Sequence, residues 1–232
     1  MTETAAEQKR AIRAQALSIA LAVSPFGVAF GVACSEAGLS VWEAIGFSTL
    51  VFSGSAQFAA VSVLANGGTA VAAVTSGLLL NLRSLAFGVA MAGALKGPVW
   101  WRALASQLMI DESTAVGSVQ RTDALKRYGY LAGGIAVFVL WNLTTILGAS
   151  VLSSSEQLIE DLGIDATIPA AFLALLWPRL VDPVQRLIAA VGAVVALALV
   201  PISPAGVPII AAAGAVVLAR PWREQPSAEM AT

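Results

Sequence analysis

Long apolar stretches separated by short polar breaks, with no strict alternation, run through this chain. Windows of roughly twenty residues with few charges are the signature of membrane helices. They predict segments near 15–35, 41–64, 70–95, 99–119, 128–152, 166–180, 184–200 and 206–219. The fourth is only weakly apolar, and the sixth and eighth are short for a full crossing. Backbone groups in hydrocarbon must be paired within helices or a closed barrel, and the missing alternation excludes the barrel. The expectation is an all-α, polytopic integral membrane protein of about 7–8 transmembrane segments, some broken or re-entrant. One transmembrane domain at 15–220 lies between polar tails at 1–14 and 221–232.

Composition sharpens this picture. Of 232 residues, 58% are hydrophobic and 12% charged, against roughly 25% charged in a soluble domain, so the polar residues cannot cover a water-exposed surface. A net charge of −1 offers no field for nucleic acid. With no histidine, imidazole metal sites and imidazole bases are absent, and the single Cys34 excludes an internal disulfide. No P-loop, G-x-S-x-G, H-E-x-x-H or paired cysteine occurs, so neither cofactor, metal nor enzymatic activity is expected. The polar amino terminus leads straight into an apolar span without a cleavage pattern, so the chain is expected to stay in the membrane.

Basic residues set the orientation. Lys9, Arg10 and Arg13, then Arg121, Lys126 and Arg127, then Arg179 and Arg186, and finally Arg220 and Arg223 fall on one side if eight segments cross. The acidic 153–165 loop and the uncharged turn at 201–206 suit the outside, which places both termini in the cytoplasm. Lys96 and Arg102 disagree with this count. Either they are an exception to the rule or a segment among the second to fourth is re-entrant. Trp42, Trp100, Trp101 and Trp222, at segment ends, read as interfacial anchors.

Placing Asp, Lys or Arg at a membrane helix centre costs about 2.5–3.5 kcal/mol, which makes such residues functional candidates. Four places break the apolar pattern. Ser24-Pro25-Phe26-Gly27 can either open the first helix around a ligand or form a packed kink, with Gly27 and Gly31 as a close-packing face. Ser53-Gly54-Ser55-Ala56-Gln57 resembles an N-cap and first helical turn in mid-membrane, suited to a carboxylate or, alternatively, to gluing helices together. Arg83, after Asn81-Leu82, lies too deep to snorkel and must face protein, water or an anion; an ion pair with Asp111 or Glu112 is the structural alternative. Asp111 and Glu112 stand in the weakest span, as proton carriers or as solvated interfacial acids. Trp141-Asn142 and the prolines Pro169 and Pro178 read as scaffold. Phe-Gly-Val-Ala occurs at 26–29 and 87–90, a near-chance coincidence in such a chain, and no half-to-half repeat emerges.

Taken together, Pro25-Phe26-Gly27 with Phe30-Gly31, the run from Phe52 to Phe58, Asn81-Leu82-Arg83 and Asp111-Glu112 resemble the AzlC family over roughly residues 15–200. That family provides the large subunit of bacterial branched-chain amino acid exporters. The resemblance implies export of Leu, Ile and Val, with Met a further expected substrate, across the bacterial cytoplasmic (inner) membrane, beside a small AzlD-like membrane subunit. Ser84 stands where the family usually has His or Tyr, and Ile110 where it commonly has Thr.

On this reading the substrate site comprises Pro25, Phe26, Gly27, Phe30, Ser53, Gly54, Ser55, Gln57, Phe58, Asn81 and Arg83, with Asp111 and Glu112 coupling protons. Amides and hydroxyls near Ser53–Ser55 and Arg83 would take the carboxylate, with Gln57 or Asn81 orienting it. Asp111 would answer the ammonium or carry the proton, and Phe26, Phe30 and Phe58 would face the side chain. Rival readings are a passive channel lined by the same residues, and an intramembrane enzyme or assembly subunit, which lacks a nucleophile–base pair.

Overall fold

The computed structural model describes residues 4–151, 173, 176–177 and 180–214, and every regular element among them is a helix. The acidic 153–165 loop, most of the sixth predicted segment with Pro169, Pro178 and Arg179, the end of the eighth and the 221–232 tail lie outside the described residues.

Helix α1 (Ala5–Glu36) starts at a capping box in which the Glu7 amide donates to Thr4 Oγ1 and Glu7 accepts from the Thr4 amide. It runs unbroken through Pro25. Proline removes the amide that would donate to the Leu21 carbonyl, and Ser24 Oγ donates to that carbonyl instead, at 2.8 Å. The alternative of an opened first helix therefore gives way to the packed one. Glycines make the packing possible. A Cβ at Gly31 would run into the Thr145 carbonyl of α8 (Asp123–Ser150), and one at Gly148 into the Val28 carbonyl of α1. Lys9 lies over the Tyr128 ring at 5.3 Å, while Ser35 Oγ reaches the Ala149 carbonyl at 3.3 Å. The two long helices are thus parallel, and their shared starting side is termed the near end.

The second predicted segment does not cross. It folds as α2 (Val41–Leu50) and α3 (Gly54–Ala65) around a turn at Phe52 and Ser53. Phe47 and Phe58, one on each helix, both pack on Phe30, with ring centroids 5.7 and 5.6 Å away. Phe52 between them reaches further toward the near end, onto Phe138 at 5.0 Å. Gln57 Nε2 donates back to the Ser48 carbonyl at 3.4 Å. This is a hairpin that enters from the far end and returns to it.

Next come α4 (Ala70–Asn81) and α5 (Arg83–Met91), a span bent by 40° at Leu82. Gly77 packs on Ala56 of α3, and at the other extreme Met91 clusters with Tyr130 near the start of α8, so this pair runs from far to near. The fourth segment again folds back, as α6 (Val99–Ser106) and α7 (Asp111–Ser118). Arg127 stacks on Trp101 at 4.4 Å and Tyr130 OH donates to the Ala105 carbonyl at 2.6 Å. Leu108 meets Gly134 deeper along α8, after which Ser113 and Val116 retrace Gly133 and Gly129 toward the near end.

This second hairpin explains the discordant charges. Trp101 and its neighbours Lys96 and Arg102 stand at the near end with Arg127, as the re-entrant alternative requires. Each half-helix has 8–12 residues, or roughly 12–18 Å, against about 30 Å of hydrocarbon. Among the described residues, α1 and α8 are each long and apolar enough to cross a membrane, and α4–α5 joins them if the bent pair counts as one span. Finally α9 (Pro183–Leu199) leads to α10 (Val207–Ala213) through a turn whose Gly206, at φ 92°, seats on Val63 and Ala72 at the far end.

Candidate functional site

Helix breaks leave backbone groups without intrahelical partners, and inside a membrane each needs another one. Here the breaks serve one another. Gln107 Nε2, beyond the end of α6, donates to the Thr49 and Leu50 carbonyls at the end of α2, at 2.8 and 3.2 Å. Ser113 Oγ accepts from the Ile110 amide at 3.1 Å and donates to the Leu108 carbonyl at 2.6 Å, holding the turn before α7. At the α4–α5 bend, Ser84 Oγ donates to Asn81 Oδ1 at 2.9 Å.

The two hairpin tips and the bend converge on a cavity of about 60 Å³, room for a few water-sized groups. Val23 and Phe26 of α1 line it, with Val137 and Trp141 of α8. The first hairpin adds Phe52, Gly54, Ser55 and Phe58; the second adds Ile110, Asp111 and Glu112; the bend adds Arg83.

Arg83 Nη1 meets Asp111 Oδ2 at 3.2 Å, with the two side chains 33% and 28% exposed. The contact is single, and Arg83 Nε and Asp111 Oδ1 have no hydrogen-bond partner among the described residues. Both ions therefore keep capacity for a third group. The first turn of α3 opens on the same cavity with no acidic residue to neutralise its positive end. Among the described residues Ser55 Oγ and Trp141 Nε1, on the cavity wall, likewise have no hydrogen-bond partner. By contrast α7 carries Asp111 and Glu112 in its own first turn. The cavity thus has a donor-rich side, an acidic side, and an apolar wall of Val23, Phe26, Phe52, Phe58, Ile110 and Val137. No group of three His, Cys, Asp or Glu side chains suited to a metal occurs among the described residues.

Of the sequence candidates, Phe26, Gly54, Ser55, Phe58, Arg83, Asp111 and Glu112 meet here. Ser53 is the N-cap residue of α3 and is buried. Gln57, fully buried, ties α3 to α2, and Asn81 braces the bend. Pro25 is exposed on α1, Gly27 packs against Thr144, and Phe30 lies in the core, stacked at 6.3 Å on Trp141. None of these six lines the cavity. Trp141, read from sequence as scaffold, does; a polar-tipped aromatic at mid-span was the available signal. Gln107 and Tyr130, which complete the helix ends, gave no pattern that separates them from ordinary polar positions.

The fold and site define an integral membrane protein with a charged cavity between broken helices. The chain belongs to the AzlC family, whose description, "AzlC protein", matches residues 18–154. It is also similar to an uncharacterized membrane protein of Archaeoglobus fulgidus, 32% identical over 212 residues that cover 88% of this chain and 90% of the relative. No solved structure matches it.

Proposed function

We propose that this protein is a secondary transporter that exports branched-chain amino acids, Leu, Ile and Val with Met beside them, across the bacterial inner membrane. Proton coupling and a small AzlD-like membrane subunit are part of the reading. Its main support is the half-engaged Arg83–Asp111 pair, which stands beside the open first turn of α3 and an apolar wall. A zwitterion needs a cation and amides at one end, an acid at the other, and greasy surface for its side chain. The substrate carboxylate takes Arg83 and the Ser55 region, and Asp111, released from Arg83, meets the ammonium or a proton. With Asp111 protonated, the ion pair is broken and Arg83 is free for the next carboxylate, which links proton and substrate. The wall has no polar group to single out one chain length, so discrimination among Leu, Ile and Val stays within about 1–3 kcal/mol per methylene.

The test is counterflow of labelled Leu in proteoliposomes, with and without a pH gradient and with and without the small subunit. A carrier concentrates label against unlabelled Leu inside. Flux without counterflow would identify a passive pore, and an absence of Leu flux in every arm would remove the amino acid reading.

A further inference from the structure

The two hairpins stand in the same relation to the spans that precede them. Helix α1 runs from near end to far end and is followed by α2–α3, which dips in from the far end. The α4–α5 span runs the opposite way and is followed by α6–α7, which dips in from the near end. The return helices begin at Gly54 and Asp111, 57 positions apart. Pro25 and the bend residue Leu82 keep the same interval, as do Phe30-Gly31 and Phe87-Gly88. Gly77 receives Ala56 of the first return helix just as Gly134, 57 residues on, receives Ser113 of the second. Val41-Trp42 and Val99-Trp100, which open the two inbound helices, are one position further apart. A unit of one span and one hairpin is therefore repeated upside down. The Phe-Gly-Val-Ala duplication, offset by 61 between residues 26 and 87, is out of this register and hides it.

We infer that α2–α3 and α6–α7 are paired gates, one for each face of the membrane, and that Gln107 is the latch that joins them when both are shut. The inference rests on the transporter reading above. Each tip supplies one side of the cavity, the α3 first turn with Ser55 from the far hairpin, Asp111 and Glu112 from the near one. An inverted pair offers both faces the same way in, which alternating access demands. Between the tips, the hydrogen bonds of Gln107 to Thr49 and Leu50 link one hairpin to the other. These bonds lie at the protein surface, and withdrawal of either hairpin breaks them and leaves the same two carbonyls without their donor, in need of water. Opening and wetting are thereby one event. Each hairpin also keeps a hold of its own on α8: Ser48 on Thr145 for the first, Ala105 on Tyr130 for the second. The hairpin whose hold survives stays closed while the other opens. Gln107 is a positioning residue that does not line the cavity.

Two measurements on full-length protein carrying Cys34→Ala test this. In the first, Leu50→Cys/Gln107→Cys is joined with a reducible bifunctional thiol reagent, with Thr49→Cys/Gln107→Cys in its place if that pair does not insert. Leu counterflow should be lost on joining and return on reduction, while each single-cysteine variant treated alike keeps its rate. A joined protein that exchanges Leu at the unjoined rate overturns the gates. In the second, a membrane-impermeant thiol reagent is applied to Ser55→Cys from each face of the vesicle. Gln107→Leu should raise the labelling rate from one or both faces by about threefold to tenfold, the effect of losing a net hydrogen bond or two. An unchanged rate from both faces overturns the latch. If unjoined protein with only Cys34→Ala shows no Leu counterflow, the transporter reading fails instead; labelling from both faces still reports on the latch.

Discussion

Replacing Arg83 by lysine separates a structural ion pair from a working one. Lysine keeps the charge but offers one compact head, whereas Arg83 presents Nη1 to Asp111 at 3.2 Å and retains Nε and its second amino group. The substituted ammonium lacks the planar fork through which a guanidinium engages a carboxylate with two parallel N–H groups. The forfeited interaction is a charge-assisted hydrogen bond, worth about 1.5–3 kcal/mol in a dry site. Because both side chains are about one-third exposed, the lower value applies, so the affinity for Leu should fall roughly tenfold. Arg83→Ala removes both contacts and leaves Asp111 unpaired, which should abolish efflux and also lower stability. The double variant Arg83→Ala/Asp111→Asn should recover stability without recovering efflux, because the stranded charge is gone and the carboxylate site is still missing. The assay is labelled Leu counterflow over a range of concentrations, alongside thermal melting in detergent. If Arg83→Lys and Arg83→Ala transport with wild-type affinity and rate in inserted protein, the guanidinium does not handle substrate and the mechanism is refuted.

Other substitutions probe the scaffold. Gly31→Ala puts a methyl into the Thr145 carbonyl of α8; it should separate the two long helices and destabilise the protein by about 1–3 kcal/mol, read as a lower melting temperature in detergent. Ser24→Ala withdraws the hydroxyl that serves the carbonyl beside Pro25; a loss of about 1 kcal/mol is expected, with Leu affinity unchanged. Tyr130→Phe removes the hydroxyl donor from the Ala105 carbonyl at the end of α6, which keeps the Leu108 amide; stability should drop by about 0.5–1.5 kcal/mol, and hydrogen exchange should quicken in α6 first.

The sequence displayed the chemistry better than the path of the chain. Arg83, Asp111, Glu112 and Ser55 stood out because each interrupts an apolar run, and the structure brings all four to one cavity. A run of twenty apolar residues, however, reads the same as one helix or as two halves with a turn between them. Ser53 and Ile110 mark the turns without a proline, and only the misplaced Lys96 and Arg102 betrayed the fold-back. Pro25 left an opened and a packed helix equally open: the adjacent serine replaces the missing donor, a local exchange that hydropathy does not register. Phe30 and Gly27 carry the resemblance yet serve the core, since small and aromatic residues suit tight helix packing as well as a ligand.

The glycine seam between α1 and α8 joins residues more than a hundred positions apart, Val28 to Gly148 among them. A ribosome delivers the first of these helices, then both hairpins, before the second exists. Until α8 emerges, Tyr130 cannot cap α6 and Thr145 cannot meet Ser48, so both dipped segments reach the translocon with polar ends exposed. A polypeptide truncated before Asp123 should consequently be cleared by membrane proteases, and supplying residues 123 onward as a separate fragment should rescue it.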